Sequence, residues 1–304
     1  MSTLEEKRVY SNRQDATEAY VASAIGVVRV AVADDIVGEF SLVERCVARD
    51  VAATASTVAV ATDEDVIVRS LEGASEREEE ENGSEDELDG KADAETFTRT
   101  DFGPATAVGF DGDDLLAAGS DGRVGRRSED EREWETLESA DTDLEVRAID
   151  GDLVGTAGGV FRVHDGELEH AGLTDVRDVS ADGIPQAATA DGLYTLGNGW
   201  LEAHGGEFDV VTADPASEPG TLRRAHAVSG LSVYEHADGE WLEYARTSVP
   251  VVDLAYGETV YAVTGRGTFL AASVDAGESD AIEGWRSRTL GVTDVAGVAI
   301  PSLE

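Results

Sequence analysis

The stretch Gly159-Val160-Phe161-Arg162-Val163-His164-Asp165-Gly166-Glu167-Leu168 contains the pattern that decides the fold. It reads as a Gly, a short apolar run, an Asp-Gly turn and the start of a second run. An Asp-Gly pair between two such runs is a strong signal for a tight β-hairpin. The same phrase returns at residues 192–201 and 230–242. A hairpin repeated in this way indicates an array of similar supersecondary units.

The phrase occurs seven times at nearly even intervals. Successive copies begin 33 to 39 residues apart, except for one interval of 57 residues. Each interval has room for four short runs rich in Val, Thr, Tyr and Phe, and no stretch keeps a period of 3.6 residues over three helical turns. We therefore predict an all-β fold, a seven-bladed β-propeller of four-stranded antiparallel blades. The copies open at Gly26, Asp65, Gly122, Gly159, Gly192, Gly230 and Gly267.

The repeat also predicts local detail. A Gly at the opening position is expected to supply the positive φ that a tight hairpin turn requires. In the two clearest units the predicted strands are 145–149, 153–157, 160–163 and 167–171, then 176–181, 186–189, 193–196 and 200–204.

The two ends of the chain predict how the ring closes. Residues 292–300 read as an innermost strand with nothing after it, and residues 19–24 as a second strand with no first strand before it. Joining them completes one blade and removes an open strand edge. We expect residues 1–304 to form one domain, with a disordered acidic insertion at 73–95 in the second blade. That segment is highly charged and almost free of apolar residues, and it explains the long interval.

The composition is strongly acidic. The chain has 64 Asp and Glu against 23 Lys and Arg, a formal charge of -41. This balance resembles that of cytosolic proteins from extreme halophiles, in which molar salt screens the carboxylates. It disfavours direct binding of nucleic acid, which needs a basic surface. An acidic docking face for a cationic partner is the alternative interpretation.

Several expectations concern compartment and assembly. A single cysteine, Cys46, excludes an intramolecular disulfide. No apolar signal segment opens the chain and no run approaches 18 apolar residues, so we expect a cytoplasmic monomer without a membrane span. The scattered histidines give no zinc pattern. No cofactor is predicted.

The tryptophans share one position in the repeat, at the start of the predicted outer strand. The phrases Ser128-Glu129-Asp130 before Trp134 and Asp238-Gly239-Glu240-Trp241 are degenerate forms of the Asp-box. On these features the chain resembles the WD40-like and Asp-box-like groups of β-propellers. More narrowly, it resembles a β-propeller family of haloarchaea. The resemblance covers nearly the whole chain and implies the fold, but no activity. The Trp rings are expected to pack in the hairpins, with carbohydrate stacking as the alternative.

A polar repeat marks the starts of the predicted innermost strands, which line the channel of a propeller. Two interpretations remain open. Each Asp either accepts hydrogen bonds from nearby N–H groups and fixes the blades, or helps to form a polar site for a cation or small ligand. The residues of this candidate channel-mouth site are Arg49, Asp50, Arg147, Arg177, Asp178, Asp253 and Asp294.

No nucleophile elbow, phosphate loop or dinucleotide motif occurs in the sequence. The leading hypothesis is therefore a non-enzymatic scaffold that binds a protein partner. The alternative is a propeller that binds a small ligand or acts on a glycan, as a hydrolase or lactonase does, with its site at the channel mouth. A third idea makes the acidic insertion a docking tail.

Overall fold

A computed structural model describes residues 17–71, 96–129, 132–141, 144–272 and 285–301. Their strands form seven sheets, each built on an antiparallel meander of four strands, and the sheets are the blades of a ring. The predicted all-β, seven-bladed propeller is confirmed. None of the described segments is a helix that could span a membrane.

The first three blades, each given from the innermost strand outward, have the following strands. Blade 1 contains β29 (Val295–Ala299), β1 (Thr17–Ser23), β2 (Gly26–Ala33) and β3 (Ile36–Glu44). Blade 2 contains β4 (Ala48–Ala53), β5 (Thr57–Thr62), β6 (Val66–Ser70) and β7 (Thr98–Arg99). Blade 3 contains β8 (Ala105–Asp111), β9 (Asp114–Gly119), β10 (Val124–Arg127) and β11 (Glu135–Thr136).

The remaining four blades follow in chain order. Blade 4 contains β13 (Val146–Asp150), β14 (Leu153–Thr156), β15 (Gly159–His164) and β16 (Glu167–Gly172), with β12 (Glu138–Ser139) added at its outer edge. Blade 5 contains β17 (Val176–Ser180), β18 (Gln186–Thr189), β19 (Gly192–Leu196) and β20 (Trp200–Gly205). Blade 6 contains β21 (Val210–Ala213), β22 (Ala225–Ser229), β23 (Ser232–Ala237) and β24 (Glu240–Arg246). Blade 7 contains β25 (Val251–Tyr256), β26 (Val260–Thr264), β27 (Thr268–Ala272) and β28 (Trp285–Thr289).

The ring closes as predicted from the two ends of the chain. β29, from the C-terminal end, pairs antiparallel with β1, from the N-terminal end, and Val298 lies opposite Val21. The two termini therefore share blade 1. Because β29 also fills the innermost place, the ring has no open edge at the channel.

Two features depart from the simple repeat. β12 pairs in parallel with β16, so blade 4 has a fifth strand that the sequence did not predict. In blade 2, β6 pairs with β7 although the long interval separates them in sequence, and Val68 lies opposite Thr98. The predicted insertion at 73–95 lies outside the described residues.

The positive φ predicted at the repeat's opening Gly is found at most copies but not all. Gly159 has φ 140° and Gly267 has φ 76°, whereas Gly192 is not among the residues with positive φ. The prediction for Gly192 is therefore wrong. This Gly is needed for space instead, because a Cβ there would stand 2.9 Å from the Tyr194 ring.

These turns are held by a side chain that no sequence pattern indicated. A buried hydroxyl lies three residues before the opening position. Thr156 Oγ1 donates to the Gly159 carbonyl at 2.9 Å and accepts from the N–H groups of Gly158 and Gly159. Ser23, Thr62 and Thr189 repeat the bond to the carbonyl three residues on. The hydroxyl thereby supplies partners to backbone groups that would otherwise be buried without any.

The core lies between blades and is built from small apolar side chains. Between blades 3 and 4, Leu116 and Ala118 pack with Ile149 and Val154. Two of the tryptophans join the outer part of a blade to the blade before it. Trp134 Nε1 donates to the Thr100 carbonyl of the preceding blade at 3.0 Å, and Trp200 Nε1 donates likewise to Ala171 at 2.9 Å.

Candidate functional site

The innermost strands surround a central channel with a cavity of about 510 Å³. Five residues of the predicted channel-mouth site line this cavity, and two do not. The residues that line it are Asp50, Arg147, Arg177, Asp178 and Asp253. Arg49 and Asp294 lie outside it. The innermost strands are therefore the channel wall, as expected for a propeller.

Asp50 bridges two blades through its carboxylate. Its Oδ1 accepts the N–H of Val51 in its own strand at 2.8 Å. Its Oδ2 accepts the N–H of Val108 in the next blade at 2.9 Å. We call this arrangement an aspartate bracket. It gives two backbone N–H groups at the channel wall a charged acceptor, which is the stronger kind of hydrogen bond.

Asp178 and Asp253 repeat the bracket at two other blade junctions. Asp178 accepts from Val179 at 2.9 Å and from Val211 of blade 6 at 2.8 Å. Asp253 accepts from Leu254 at 2.8 Å and from Val298 of blade 1 at 2.7 Å. The last bracket spans the junction where the ring closes, so this side chain ties the two ends of the propeller together.

A β-bulge positions each bracket. The strand register shifts between Ala48 and Asp50, and it shifts in the same place before Asp178 and Asp253. The Asp is always the third residue of its strand, and one extra residue precedes it. A bulge bends the strand and redirects the following side chain. Here it accompanies a carboxylate that reaches a neighbouring blade.

Burial disfavours the charged form of these carboxyls. It raises the pKa of Asp50 and of Asp253 to about 7, against the opposing effect of the two N–H donors on each. Burial also raises the pKa of Asp178 well above its usual range, and the Asp253 carboxyl adds to the rise. The carboxyls of Asp50 and Asp253 therefore stand close to their titration point near neutral pH.

A further buried carboxyl, Asp150, lies at the channel and was not predicted from the sequence. Asp150 ends β13, and its Oδ2 accepts the Ala181 N–H of blade 5 at 2.8 Å. Burial, with the Asp182 carboxyl next, raises its pKa to about 7. It follows Arg147 by three residues but belongs to no repeated string of letters, so the polar pattern gave no signal for it.

Blade 1 carries Gly297 at the strand position where blades 2, 5 and 7 carry a bracket Asp. A Cβ on Gly297 would stand 3.2 Å from Asp253 Oδ2 and 3.5 Å from Asp50 Oδ1. Gly297 therefore leaves room for two carboxylates on either side of it. This corrects the alignment of Asp294, which precedes β29 by one residue, is exposed and has φ 53°.

The sequence matched Asp294 with the wrong aspartate. The string Thr293-Asp294-Val295 repeats Thr174-Asp175-Val176, in which the Asp likewise precedes the strand and has positive φ. Asp294 therefore corresponds to Asp175 and not to Asp178. Its Oδ2 accepts only the neighbouring Thr293 hydroxyl, at 3.2 Å, among the bonds that the described residues make.

The arginines form an inter-blade ladder at the same mouth. Arg147 donates to Asp175 Oδ1 of blade 5 at 2.6 Å, and Arg177 donates to Asp209 Oδ1 of blade 6 at 2.5 Å and to Glu207. These hydrogen bonds raise the pKa of both guanidinium groups. Each rung joins the bulge residue of one blade to an acidic loop residue of the next.

Arg49 has the position of a ladder arginine but no acidic partner. It is the bulge residue of blade 2, and the matching loop position of blade 3 is Pro104. Within the described part of the chain, no acceptor is found for its guanidinium. Where the ring closes, the acidic residue is present and the arginine is missing, since Asp294 stands opposite Val252, which has no charge. Pro104 and Val252 therefore explain why Arg49 and Asp294 match the repeat in sequence but not in contacts.

Other reactive groups are either buried or dispersed. Across residues 17–71, 96–129, 132–141, 144–272 and 285–301, no group of three or more His, Cys, Asp or Glu could hold a metal ion. His226 is fully buried, and its Nδ1 lies 2.5 Å from Tyr256 Oη. Burial lowers the pKa of His226 to about 3, so it is neutral at physiological pH. No sequence pattern indicated this pair.

Nearly the whole chain matches a known family. A family model described as HVO_0234-like beta propeller matches residues 3–301. The comparison with curated proteins found no match.

Solved structures share the architecture at low identity. The WD40 beta propeller domain of Doa1 is 15% identical with a TM-score of 0.59, over 82% of this chain and 85% of that one. AztD from Citrobacter koseri is 10% identical with a TM-score of 0.51, over 92% and 84%. The extracellular domain of the one component system BT4673 from B. thetaiotaomicron is 10% identical with a TM-score of 0.55. The match covers 82% of this chain but only 37% of that domain's length. At such identities the likeness shows the fold alone.

Proposed function

The chain belongs to the HVO_0234-like β-propeller family, and from that premise we propose that it is a non-enzymatic scaffold for protein interaction in a halophilic cytoplasm. Membership brings a fold and not a reaction. A propeller offers a broad, rigid face on which loops can contact a partner. The acidic composition supports a saline cytoplasm, because molar salt screens charges that would otherwise repel one another.

One observation carries the proposal. The five predicted site residues at the channel direct their polar atoms to the protein itself. Both oxygens of Asp50, Asp178 and Asp253 accept backbone N–H groups. Arg147 and Arg177 are held by acidic side chains. A catalytic group needs a free atom to touch its substrate, whereas these atoms hold blades together.

The test is recovery of a partner under conditions in which the protein is folded. Tagged full-length protein is incubated with extract in molar potassium chloride and then isolated. We expect a protein partner in stoichiometric amount, released together with the propeller in size-exclusion chromatography. Recovery of a clean monomer with no partner would contradict the scaffold.

A second candidate function rests on the cavity itself. A channel of about 510 Å³ has the size of a small-ligand site. Carboxyls with a pKa of about 7 can give and take protons at neutral pH. This supports a propeller that binds or hydrolyses a small neutral or glycan-like ligand at the channel.

A ligand screen distinguishes the scaffold function from the ligand-binding function. Thermal shifts are recorded with sugars, lactones and divalent cations for the wild type and for Asp178→Asn and Asp253→Asn. A ligand site predicts a shift in the wild type that both variants lose. If no compound shifts the wild type, or if the variants respond as the wild type does, the channel is structural.

A further inference from the structure

The loops around the mouth that carries the arginine ladder form one face of the ring. This face combines the hairpins between second and third strands with the loops that lead to the next innermost strand. Backbone bonds connect the two sets of loops. Ala24 N donates to the Asp294 carbonyl at 3.2 Å, and Asp63 N donates to the Val47 carbonyl at 3.2 Å. We call it the ladder face.

The charge on the ladder face is divided unevenly. Over blades 2 to 6 its hairpins and loops present exposed acidic side chains. These include Glu64, Asp121, Asp175, Asp191, Glu207 and Asp209. This half matches the acidic composition of the chain as a whole.

The other part of the face, from blade 6 through blades 7 and 1 to the edge of blade 2, is apolar and cationic. Leu231, Ile25 and Val47 are 37%, 49% and 41% exposed there. Arg45, Arg49 and Arg266 are exposed between and beside them. We call these six residues the arc. Asp294 lies within the arc, and Glu44, Asp63 and Glu64 border it beside Arg45 and Val47.

The arginines of the arc lack the partners that other arginines of this face have. Arg147 and Arg177 are each paired with two carboxylates. By contrast, no carboxylate within the described residues pairs with the guanidinium of Arg45, Arg49 or Arg266. In a chain of charge -41 with 64 acidic residues, three unpaired guanidiniums on one arc are unexpected. For Arg49 the cause is visible, since Pro104 occupies the place of its acidic partner.

We propose that the arc is the docking surface for a partner protein, and that it binds a segment in which carboxylates alternate with apolar side chains. This rests on the proposed scaffold function and names its surface. A guanidinium binds a carboxylate through two parallel hydrogen bonds, and three unpaired ones favour an acidic segment. Exposed Ile, Leu and Val supply the apolar contacts of an interface core.

The net charge of the protein does not exclude an acidic partner. At molar salt the Debye length is about 3 Å, so distant carboxylates of the two proteins repel each other only weakly. The affinity then depends on the charged pairs in direct contact. A nucleic acid would also meet the guanidiniums, but its phosphates would leave the three apolar side chains without a partner. A protein segment satisfies both features of the arc.

The experiment compares two matched double variants in the pull-down described above. The arc variant is Ile25→Ser with Arg266→Glu. The control is Ile36→Ser with Arg132→Glu. It changes the same residue types, which are also exposed but lie on the face of the ring opposite the ladder face. Circular dichroism verifies that both fold. We expect the arc variant to lose at least about tenfold in partner recovery and the control to retain it.

A third variant and a cross-link make the surface specific. Pro104→Asp gives Arg49 the acidic partner found at the other rungs, so we expect it to weaken recovery without removing a cation. Cross-linking followed by mass spectrometry should join the arc to an acidic segment of the partner. A synthetic peptide of that segment should bind, and its Glu→Gln, Asp→Asn version should bind at least about tenfold less tightly.

Each other outcome has a distinct meaning. A partner that binds the arc variant as well as the control overturns the arc and leaves the scaffold function standing. A cross-linked segment without carboxylates also overturns it. Recovery of nucleic acid in place of protein overturns both the arc's occupant and the scaffold. Recovery of no partner at all contradicts the scaffold, and the arc proposal fails with it.

Discussion

Asp50, Asp178 and Asp253 each satisfy two backbone N–H groups from two blades, and this accounts for the polar repeat at the channel. The arrangement has a cost, because burial raises the pKa of Asp253 to about 7. A carboxyl whose pKa is higher in the folded protein than its ordinary value of about 4 binds more protons when folded. Its contribution to stability is therefore present at low pH and is lost as the pH rises from about 4 to about 7.

This gives a pH-dependent prediction for Asp253→Asn. The amide nitrogen cannot accept an N–H, so either Val298 or Leu254 loses its acceptor, at a cost of about 1 to 3 kcal/mol. At about pH 5 we expect this full loss. At about pH 8 the wild type buries a charge that Asn lacks, so the difference should shrink or reverse. Urea unfolding in molar potassium chloride at both pH values measures it.

The control for Asp253→Asn is Asp113→Asn, which changes an exposed turn residue. Its effect on the free energy of unfolding should be within about 0.5 kcal/mol of zero at both pH values. A difference between Asp253→Asn and the wild type that stays the same at both pH values would show that the bracket carboxyl does not titrate in this window.

Gly297 gives a second prediction at the scale of the residue. Replacing Gly by Ala usually stabilises a protein by about 0.4 to 1 kcal/mol when the backbone and the space allow it. Here the new Cβ would stand 3.2 Å from Asp253 Oδ2, which is fixed by a 2.7 Å bond to Val298 and cannot move away. We therefore expect Gly297→Ala to lower the free energy of unfolding by about 1 kcal/mol.

Thermal unfolding measures this effect, and Gly197→Ala is the control. The nearest atom to a Cβ on Gly197, outside its chain neighbours, is 3.6 Å away, an ordinary contact. If Gly297→Ala proves as stable as the wild type, the packing of the two carboxylates around residue 297 is looser than the structure indicates.

Among the elements, the hairpin between second and third strands is held by its buried hydroxyl. Thr156 is fully buried, and its Oγ1 serves the carbonyl of Gly159 and two N–H groups. Thr156→Val keeps the shape and removes these bonds, so we expect a loss of about 2 kcal/mol in the free energy of unfolding. Thr156→Ser keeps the hydroxyl and removes a methyl group, worth about 1 kcal/mol.

The comparison of the two substitutions, by urea unfolding, decides whether the hydroxyl matters. We expect Thr156→Val to be less stable than Thr156→Ser. The opposite order would mean that the methyl group, through packing, contributes more than the hydrogen bonds do. The same test at Thr189, which holds the equivalent turn of blade 5, should give the same order.

The sequence predicted the elements well because their signals are local. Asp-Gly turns and short apolar runs placed β18 at its observed bounds, Gln186–Thr189, and the neighbouring strands within one or two residues. The contacts at the channel are not local. Whether Asp50 reaches Val108, or Arg49 finds a carboxylate, depends on the next blade. A shared Asp-Val pair therefore matched Asp294 to Asp178, although Asp294 corresponds to Asp175, which precedes Asp178 by three residues and one bulge.

At the scale of the whole molecule, the closure of the ring can be predicted from the two ends of the chain. The uneven distribution of charge on the ladder face cannot. A missing first strand and an unpaired last strand can be read from the letters, and β29 pairs with β1 as predicted. The arc appears only when hairpins of blades 6, 7 and 1 are set side by side. Leu231 and Arg266 are 35 residues apart in sequence and Ile25 lies 241 residues before Arg266, so no short window of sequence contains them.

The net charge gives the last prediction. A chain of charge -41 repels itself in the compact state, and salt shortens the range of that repulsion from about 10 Å at 0.1 M to about 3 Å at 1 M. We expect the melting temperature at about pH 8 to rise by at least several degrees between these concentrations of potassium chloride. Near pH 4 many carboxylates are protonated, so the same salt should change the melting temperature much less. An equal rise at both pH values would indicate general exclusion of salt from the protein surface and not screening of carboxylates, since only screening depends on their ionisation.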